Sequence, residues 1–517
     1  MKQLQLSLGI VCVLLGGGAW GANILALMGM TNSVLLHELA ERGHNLTILS
    51  VNLPRSTDKV PANVSYIYLE RAYDFYKEQD DTTINDLIGI NSYETIKQLY
   101  DFGLKTAKYI TKSRGLKQLL DYPADFKFDL IINDYTLGPY LLGFAHKFKY
   151  PPIMGMTAFH NAPITLDFIS NHYFPALVPY YSTLYSPQMS FWQRLDNTLI
   201  FAADTIYRRL YYHPELDAIM RPFFAADMPP LAELAKLTKV ALINTHPATD
   251  YVEALPPNVV EVGGMQCRQG KPLPADLEQF MLAGKRGAIF FSLGTNMLPQ
   301  NVDESTKLAI VEAFRQLPEY NFIWKFDAAY LQQVQMPANV LVRDFLPQTD
   351  ILAHKSLILF VTHCGGLSTQ EATWFGVPVV GLPLFLDQHR NMLQTFNAGA
   401  GVKLDYMTLS TSSLVAAIKQ VATNKRYAKA MKLRSQRFRD NPLPPLELAV
   451  WWVEYLLRQP NPAQLHSVAK DLNYFQAHSL DVLALLVALL LLLLYLLHSL
   501  CCNRRRTSAR ARRYKRD

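Results

Sequence analysis

The sequence predicts an α/β protein built on parallel sheets, with one membrane-crossing helix near its C-terminal end. Three observations carry this. Short apolar runs alternate with helix-like stretches through most of the 517 residues, as in a chain of βα units. One strand–helix–strand unit, Leu357 to Gln388, has glycines and polar side chains at its strand ends. Val482 to Leu500 is almost pure Leu, Val and Ala, and an arginine-rich tail follows it. Half of the residues are hydrophobic and 18% are charged, which fits a globular body and not a disordered chain.

In chain order, Met1 to Gly21 pairs an early lysine with an apolar run and small residues, the layout of a cleavable signal peptide. Asn23–Met28 is expected as a strand and Val34–Arg42 as a helix. Leu46–Val51, Phe128–Asn133, Ile153–Met156 and Val240–Asn244 are further strands. Prolines and paired glycines make Leu255 to Gly264 a linker, which sets a domain of residues 22–255 before one of 256–460. A second αβ series runs from Ala288 to about Lys403. The piece Asp440 to Arg458 leads into a helix packed near the domain junction.

Leu357–Val361 is a buried-strand pattern that runs into His363, Gly365, Gly366 and Ser368, and then into a helix carrying Glu371. Glycines let the backbone come close, and free N–H groups at a helix start favour an anion such as a phosphate. Glu371, a turn further on, suits ribose hydroxyls. The helix ends at Gly376, an apolar strand Val377–Leu382 follows, and Asp387-Gln388 offer acid and amide to a ligand covered in hydroxyls. Ile289–Gly294 is another strand that opens into Ser292, Gly294, Thr295 and Asn296, a second phosphate- or sugar-binding pattern.

The run of His, glycine, Ser, Glu, Gly-Val-Pro, Pro and Asp-Gln over residues 363–388 closely resembles the signature of the UDP-glycosyltransferase family. The resemblance implies the GT-B arrangement, two Rossmann-like domains facing a cleft. It implies an inverting transfer of a hexose, glucose or glucuronic acid, from a UDP-sugar to a hydroxyl of a small lipophilic acceptor. His363 would then donate to the diphosphate with Ser368 in support. Glu371 would hold the ribose, and Asp387 with Gln388 the transferred sugar. Phe345 and Gln348 fall where the family places its uracil contacts, with Phe345 standing where tryptophan is usual. UDP-sugar enters as a co-substrate, and neither a metal nor another cofactor is expected.

For the acceptor the family uses a histidine base, carried in the loop after the first strand and backed by a buried aspartate. Asp134 matches that aspartate. The histidine loop is missing, because Gly29-Met-Thr31-Asn32-Ser33 passes almost directly into the helix. His37 is the nearest histidine, but Leu35, Leu36, Leu39 and Ala40 share a helix face from which it points away. His160, after the strand Ile153–Met156, is a second candidate. Two functions follow: an active membrane-bound transferase, or a catalytically silent relative that still binds UDP-sugar.

At 1.5 Å per residue, Val482 to Leu500 spans roughly 28 Å, close to a bilayer's hydrocarbon thickness. Seven arginines lie between Arg504 and Arg516, which puts the 501–517 tail in the cytosol and the body in the lumen, as a single-pass type I protein. Lys515 resembles lysine-based retention signals and so suggests the endoplasmic reticulum membrane. The formal charge of +7 reflects that tail and gives no reason to expect nucleic acid as a partner. Self-association or pairing with a homologue stays open. Asn45 and Asn63 stand in glycosylation sequons. Leu166 to Tyr212 is rich in aromatic residues, suited to an apolar acceptor pocket or a membrane surface.

Overall fold

The computed structural model describes residues 21–29, 33–55, 59–75, 88–123, 125–136, 138–169, 173–295, 297–465 and 467–513. The expected leader apart from Gly21, residues 30–32 of the short loop, Asn296 and Lys515 lie outside the described residues.

Two parallel sheets organise the body. The first contains β1 (Asn23–Met28), β2 (Asn45–Ser50), β3 (Val64–Tyr68), β4 (Leu130–Asp134), β5 (Ile153–Met156), β6 (Thr238–Ile243) and β7 (Val259–Glu261). Its strand order is β3-β2-β1-β4-β5-β6-β7. The second contains β8 (Ala288–Ser292), β9 (Asn321–Lys325), β10 (Val340–Arg343), β11 (Leu357–Thr362), β12 (Val379–Gly381) and β13 (Gly401–Lys403), in the order β10-β9-β8-β11-β12-β13. Helices cover both faces of each sheet. For that reason β4 and β8 are buried at every position and read as continuous apolar runs without alternation. In each sheet the winding direction reverses once, between β1 and β4 and between β8 and β11. Ligands of open α/β sheets bind at such points, beyond the strands' carboxyl ends.

The domain boundary expected at 255/256 is corrected. Val259 and Val260 pair with Ala241 and Leu242, so the expected linker supplies the last strand of the first sheet. The prolines at 256 and 257 precede the strand and cost it no ladder hydrogen bond. The helix Pro445–Arg458 also belongs to the first lobe and not to a 256–460 domain. Its stripe of Ala449, Val450, Val453 and Leu456 is buried against Ile24, Leu35, Leu39 and Leu130, as helical spacing requires. Arg42 ties it down through Glu447 at 2.7 Å.

The last of the described residues form the helix Leu480–Arg513. Its segment Leu480–Asn503 is long and apolar enough to cross a membrane, and none of it is buried within the protein. The ring of His478, just before this helix, meets Phe174 of the first lobe at 5.8 Å. Of the two sequons, Asn45 is exposed. Asn63 donates its amide to the carbonyls of Ala40 and His44 at 2.7 and 2.8 Å.

Candidate active site between the two lobes

The second sheet's switch point gathers most of the residues singled out from sequence. β8 ends at Ser292, whose hydroxyl accepts from the Gly294 N–H at 3.3 Å. β11 ends at Thr362, and the His363 ring lies between the two loops. A Cβ on Gly294 would stand 2.6 Å from His363 Cε1, and one on Gly365 would stand 2.5 Å from Nε2. Only glycine at both positions leaves room for the imidazole. Gly294 also has φ +83°, a conformation that glycine adopts without strain. Cys364 has φ 65°, which turns the chain sharply just before the helix Gly366–Phe375 begins. The free N–H groups of that helix start face the same corner. Thr295 is exposed at its rim.

Gln348 begins a short helix and brings three of these residues together. Its amide donates to Ser368 Oγ at 3.1 Å and to the Glu371 carboxylate, which also accepts from the Thr349 hydroxyl. Burial raises the Glu371 pKa, against the pull of Thr349 and Gln348. Phe345 is 53% exposed and carries the Arg55 guanidinium 4.2 Å above its ring. That ring can stack on a planar ligand once Arg55 moves aside.

Asp387 is buried beside the start of the Gly366 helix, since a Cβ on Gly366 would lie 3.4 Å from its Oδ2. Asn391 donates to the same oxygen at 2.7 Å. Burial pushes the Asp387 pKa up to about 6, opposed by that hydrogen bond. Gln388 spends its oxygen on the backbone N–H groups of Leu384 and Phe385, so its amide nitrogen is the group it can offer a ligand.

Sequence reasoning missed Lys325. It ends the apolar strand β9 and donates to the Gly294 carbonyl at 3.0 Å. Burial lowers its pKa. The His363 pKa is held down to about 4, first by burial and then by Lys325. His363 is therefore neutral at physiological pH and offers one N–H donor, while Lys325 supplies the positive charge. Its trace in the sequence is a lysine that closes the apolar run Asn321–Lys325. Among the described residues no group of three His, Cys, Asp or Glu side chains is placed to hold a metal ion.

In the first lobe Asp134 is buried at the end of β4. It accepts from Thr136 N and Oγ1 at 2.9 and 2.6 Å, and Thr136 meets Thr157 Oγ1 at 3.2 Å. A Cβ on Gly29 would stand 3.8 Å from Asp134 Oδ2, so this carboxylate does adjoin the loop after β1. The pairing of His37 with Asp134 as catalytic residues is corrected. His37 Nε2 meets Tyr66 Oη at 3.1 Å. Tyr66 pairs with Ile48 and Ile48 with Ala26, two residues below the β1 end, whereas Asp134 lies at the carboxyl edge. The helix Ser33–Glu41 runs back along the sheet from its first residue and carries His37 away from that edge.

His160 does reach the cleft. β5 is parallel to β4, and His160 follows it into a narrow hollow between the lobes, lined also by Asn161, Tyr173, Phe201, Glu253 and Arg390. A second hollow, also bordered by His160, includes Asp250, Gly366, Asp387 and Asn391. His160 Nε2 is buried without a hydrogen-bond partner. Burial, reinforced by Arg390, lowers the His160 pKa to about 3. The lobes are tied here by buried groups. Gln370 donates to the Asn244 carbonyl at 3.1 Å and accepts from Gly264 N at 3.1 Å. Arg434 donates to the Ala248 carbonyl at 2.9 Å, and Arg390 Nε to Asp250 at 2.9 Å. The aromatic stretch divides in two. Tyr173, Tyr181 and Phe201 line the hollow, while Trp192, Leu199 and Leu210 are exposed.

Comparison with known proteins agrees with this geometry. The model of the family described as UDP-glucoronosyl and UDP-glucosyl transferase matches residues 21–513. The chain is 34% identical over 483 residues to UDP-glucosyltransferase 2 of Dactylopius coccus, covering 90% of each. It is 28% identical over 480 residues to UDP-glucuronosyltransferase 2B15 of Rattus norvegicus, covering 89% of this chain and 88% of that one. Among solved structures, the calicheamicin glycosyltransferase CalG4 superposes with a TM-score of 0.55 at 18% identity, covering 86% of this chain and all of that one. The glycosyltransferase VinC, in complex with DTDP, gives 0.56 at 16%, covering 84% of this chain and all of that one. These two likenesses establish the two-lobed GT-B fold.

Proposed function

Because the chain belongs to the UDP-glucoronosyl and UDP-glucosyl transferase family, which moves sugars from UDP-sugars, we propose that it transfers glucose from UDP-glucose to a hydroxyl of a small lipophilic acceptor. The observation that carries this is the cradle at the β8/β11 switch point, where the His363, Ser368, Glu371 and Asp387 side chains surround one helix start. The diphosphate would lie against the N–H groups of the Gly366 helix, with His363 donating and Lys325 supplying charge. Such preorganised donors stabilise the leaving group as the sugar departs. Glu371 would hold the ribose, Phe345 and Gln348 the uracil, and Asp387 with Gln388 the sugar. Glucose is favoured over glucuronate because Arg390, the cation nearest Asp387 in sequence, is already paired with Asp250 and Glu253. A sugar carboxylate would find that guanidinium already committed. The helix Leu480–Asn503 would anchor the body on the lumenal side of the endoplasmic reticulum membrane, where lipophilic acceptors partition.

The engagement of His37 with Tyr66 favours a second reading, a UDP-sugar-binding relative without transfer. Incubation of the full chain with labelled UDP-glucose or UDP-glucuronate and a panel of phenols separates the two. Glucosylated phenol supports the transferase. Binding of UDP without product at any enzyme concentration supports the silent relative.

A further inference from the structure

We propose that Glu253 takes the proton from the acceptor hydroxyl, doing the work of the loop histidine that the short connection after β1 does not supply; this rests on the transferase function proposed above. Glu253 follows β6 at the sheet's carboxyl edge and lines the inter-lobe hollow with Tyr173, Tyr181 and Phe201. Its two oxygens are unequal. Oε2 accepts from Asn161 Nδ2 at 2.8 Å. Oε1 is buried, makes no hydrogen bond, and has Arg390 Nη2 as its cation at 3.6 Å. One oxygen is thus held in place while the other is available to a substrate proton.

The ion pairs point the same way. Arg390 is buried and bonds Asp250 through two nitrogens. Asp250 therefore holds Arg390 closely and is also faced by the buried Arg434, while Glu253 keeps only the longer contact to Arg390. A buried carboxylate paired this loosely gains by taking up a proton, and low-dielectric surroundings make the gain larger than it would be in water. Burial pushes the Glu253 pKa up to about 7, with Arg390 and Asn161 opposing, close to where a general base works best. The groups facing it are Arg390 from the Gln388 helix, Asp250 from its own loop, Asn161 and His160 from the β5 exit, and Tyr173, whose own pKa Glu253 helps to raise. His160 borders both hollows but, with a pKa near 3, is the weaker base.

The hollow adjoins the sugar site. Asp387 and Arg390 are one helical turn apart, and the second hollow, containing Asp387, shares His160 with the first. In the step itself, the acceptor oxygen bonds the anomeric carbon as its proton passes to Glu253 Oε1. The bond from that carbon to the β-phosphate oxygen breaks, and its electron pair leaves with UDP. The protonated carboxyl then returns its proton to water.

The test uses full-length protein in detergent, UDP-glucose as donor, and 1-naphthol and the more acidic 4-nitrophenol as acceptor probes. Glu253→Gln keeps the shape and loses the base. It should lower kcat on 1-naphthol by about 100-fold, lower it less on 4-nitrophenol, and leave UDP affinity within about twofold by calorimetry. Wild-type kcat at saturating donor should fall as pH drops below about 7, the carboxylate being the active form, and this fall should vanish in Glu253→Gln. Glu253→Asp should recover part of the rate. A rate within about threefold of wild type, or equal losses on both phenols with an unchanged pH profile, would overturn the proposal, as would a wild-type chain that binds UDP and glucosylates neither phenol. Absence of UDP binding by the wild-type chain would sink the transferase function itself.

Discussion

At the β8/β11 switch point His363 is boxed between two glycines, with Ser368, Glu371, Gln348 and Lys325 converging around one helix start. At the β1/β4 switch point Asp134 occupies the corresponding edge and accepts from Thr136, while the first helix's histidine turns to Tyr66. The two corners have the same strand order, and among the described residues the second lobe's gathers the fuller set of polar side chains. A parallel α/β sheet provides a place for a ligand, but the residues that follow its strands decide which side chains arrive there. After β8 and β11 the chain brings Gly294, His363 and Ser368 to one corner, and β9 adds Lys325. β1 is followed by four residues before the helix begins, and none of the four is a histidine.

That contrast can be broken most severely on the fuller side. Glu371→Ala removes the carboxylate held by Gln348 and Thr349. Two charge-assisted hydrogen bonds to a ribose are worth about 3 kcal/mol or more together, so UDP affinity should fall by about 100-fold in a calorimetric titration. An unchanged affinity would take the ribose away from this corner. Lys325→Met should weaken UDP by about tenfold and reduce the dependence on ionic strength, since a partly buried cation is lost beside the diphosphate. Equal salt dependence in both proteins would leave Lys325 a purely structural residue.

Acidity separates sugar from nucleotide. Burial holds the Asp387 pKa up to about 6, so the carboxylate that accepts from sugar hydroxyls is present above pH 6 and is lost below it. UDP-glucose should lose affinity between about pH 6.5 and 5.5 by more than UDP does, and parallel losses would remove Asp387 from the sugar. The smallest effect is expected in the first lobe. His37→Ala gives up one half-buried hydrogen bond to Tyr66, about 1 kcal/mol of stability, and should change phenol glucosylation by less than about threefold. A hundredfold loss there would restore His37 as the base.

The second lobe was more legible in sequence than the first. Its chemistry is local: His363 to Gln388 forms one continuous strand–helix–strand unit, so spacing put His363, Ser368 and Glu371 near one helix start and Asp387 after the next strand, and the family resemblance joined them around one ligand. The strand positions followed from continuous apolar runs, and Ile153–Met156 was placed to the residue. What escaped were contacts between segments far apart in the chain. Lys325 reads as an ordinary strand end until β9 lies beside β8. Glu253 and Asp250 sit in an irregular stretch with no motif, and only the meeting of the lobes sets them against Arg390, 137 or more residues away. β7 was hidden by prolines that mark a turn before a strand as readily as a linker. The helix Pro445–Arg458, expected near the domain junction, joins the first lobe because its apolar stripe finds its cover there.

The most direct measurement is a calorimetric titration of the folded full-length chain with UDP, repeated with His363→Ala. One UDP bound per wild-type chain, and binding weakened at least tenfold by the substitution, is the predicted result. A folded wild-type chain that gives no binding heat with UDP at millimolar concentration, and no upward shift in Tm, would contradict the nucleotide cradle on which the account rests.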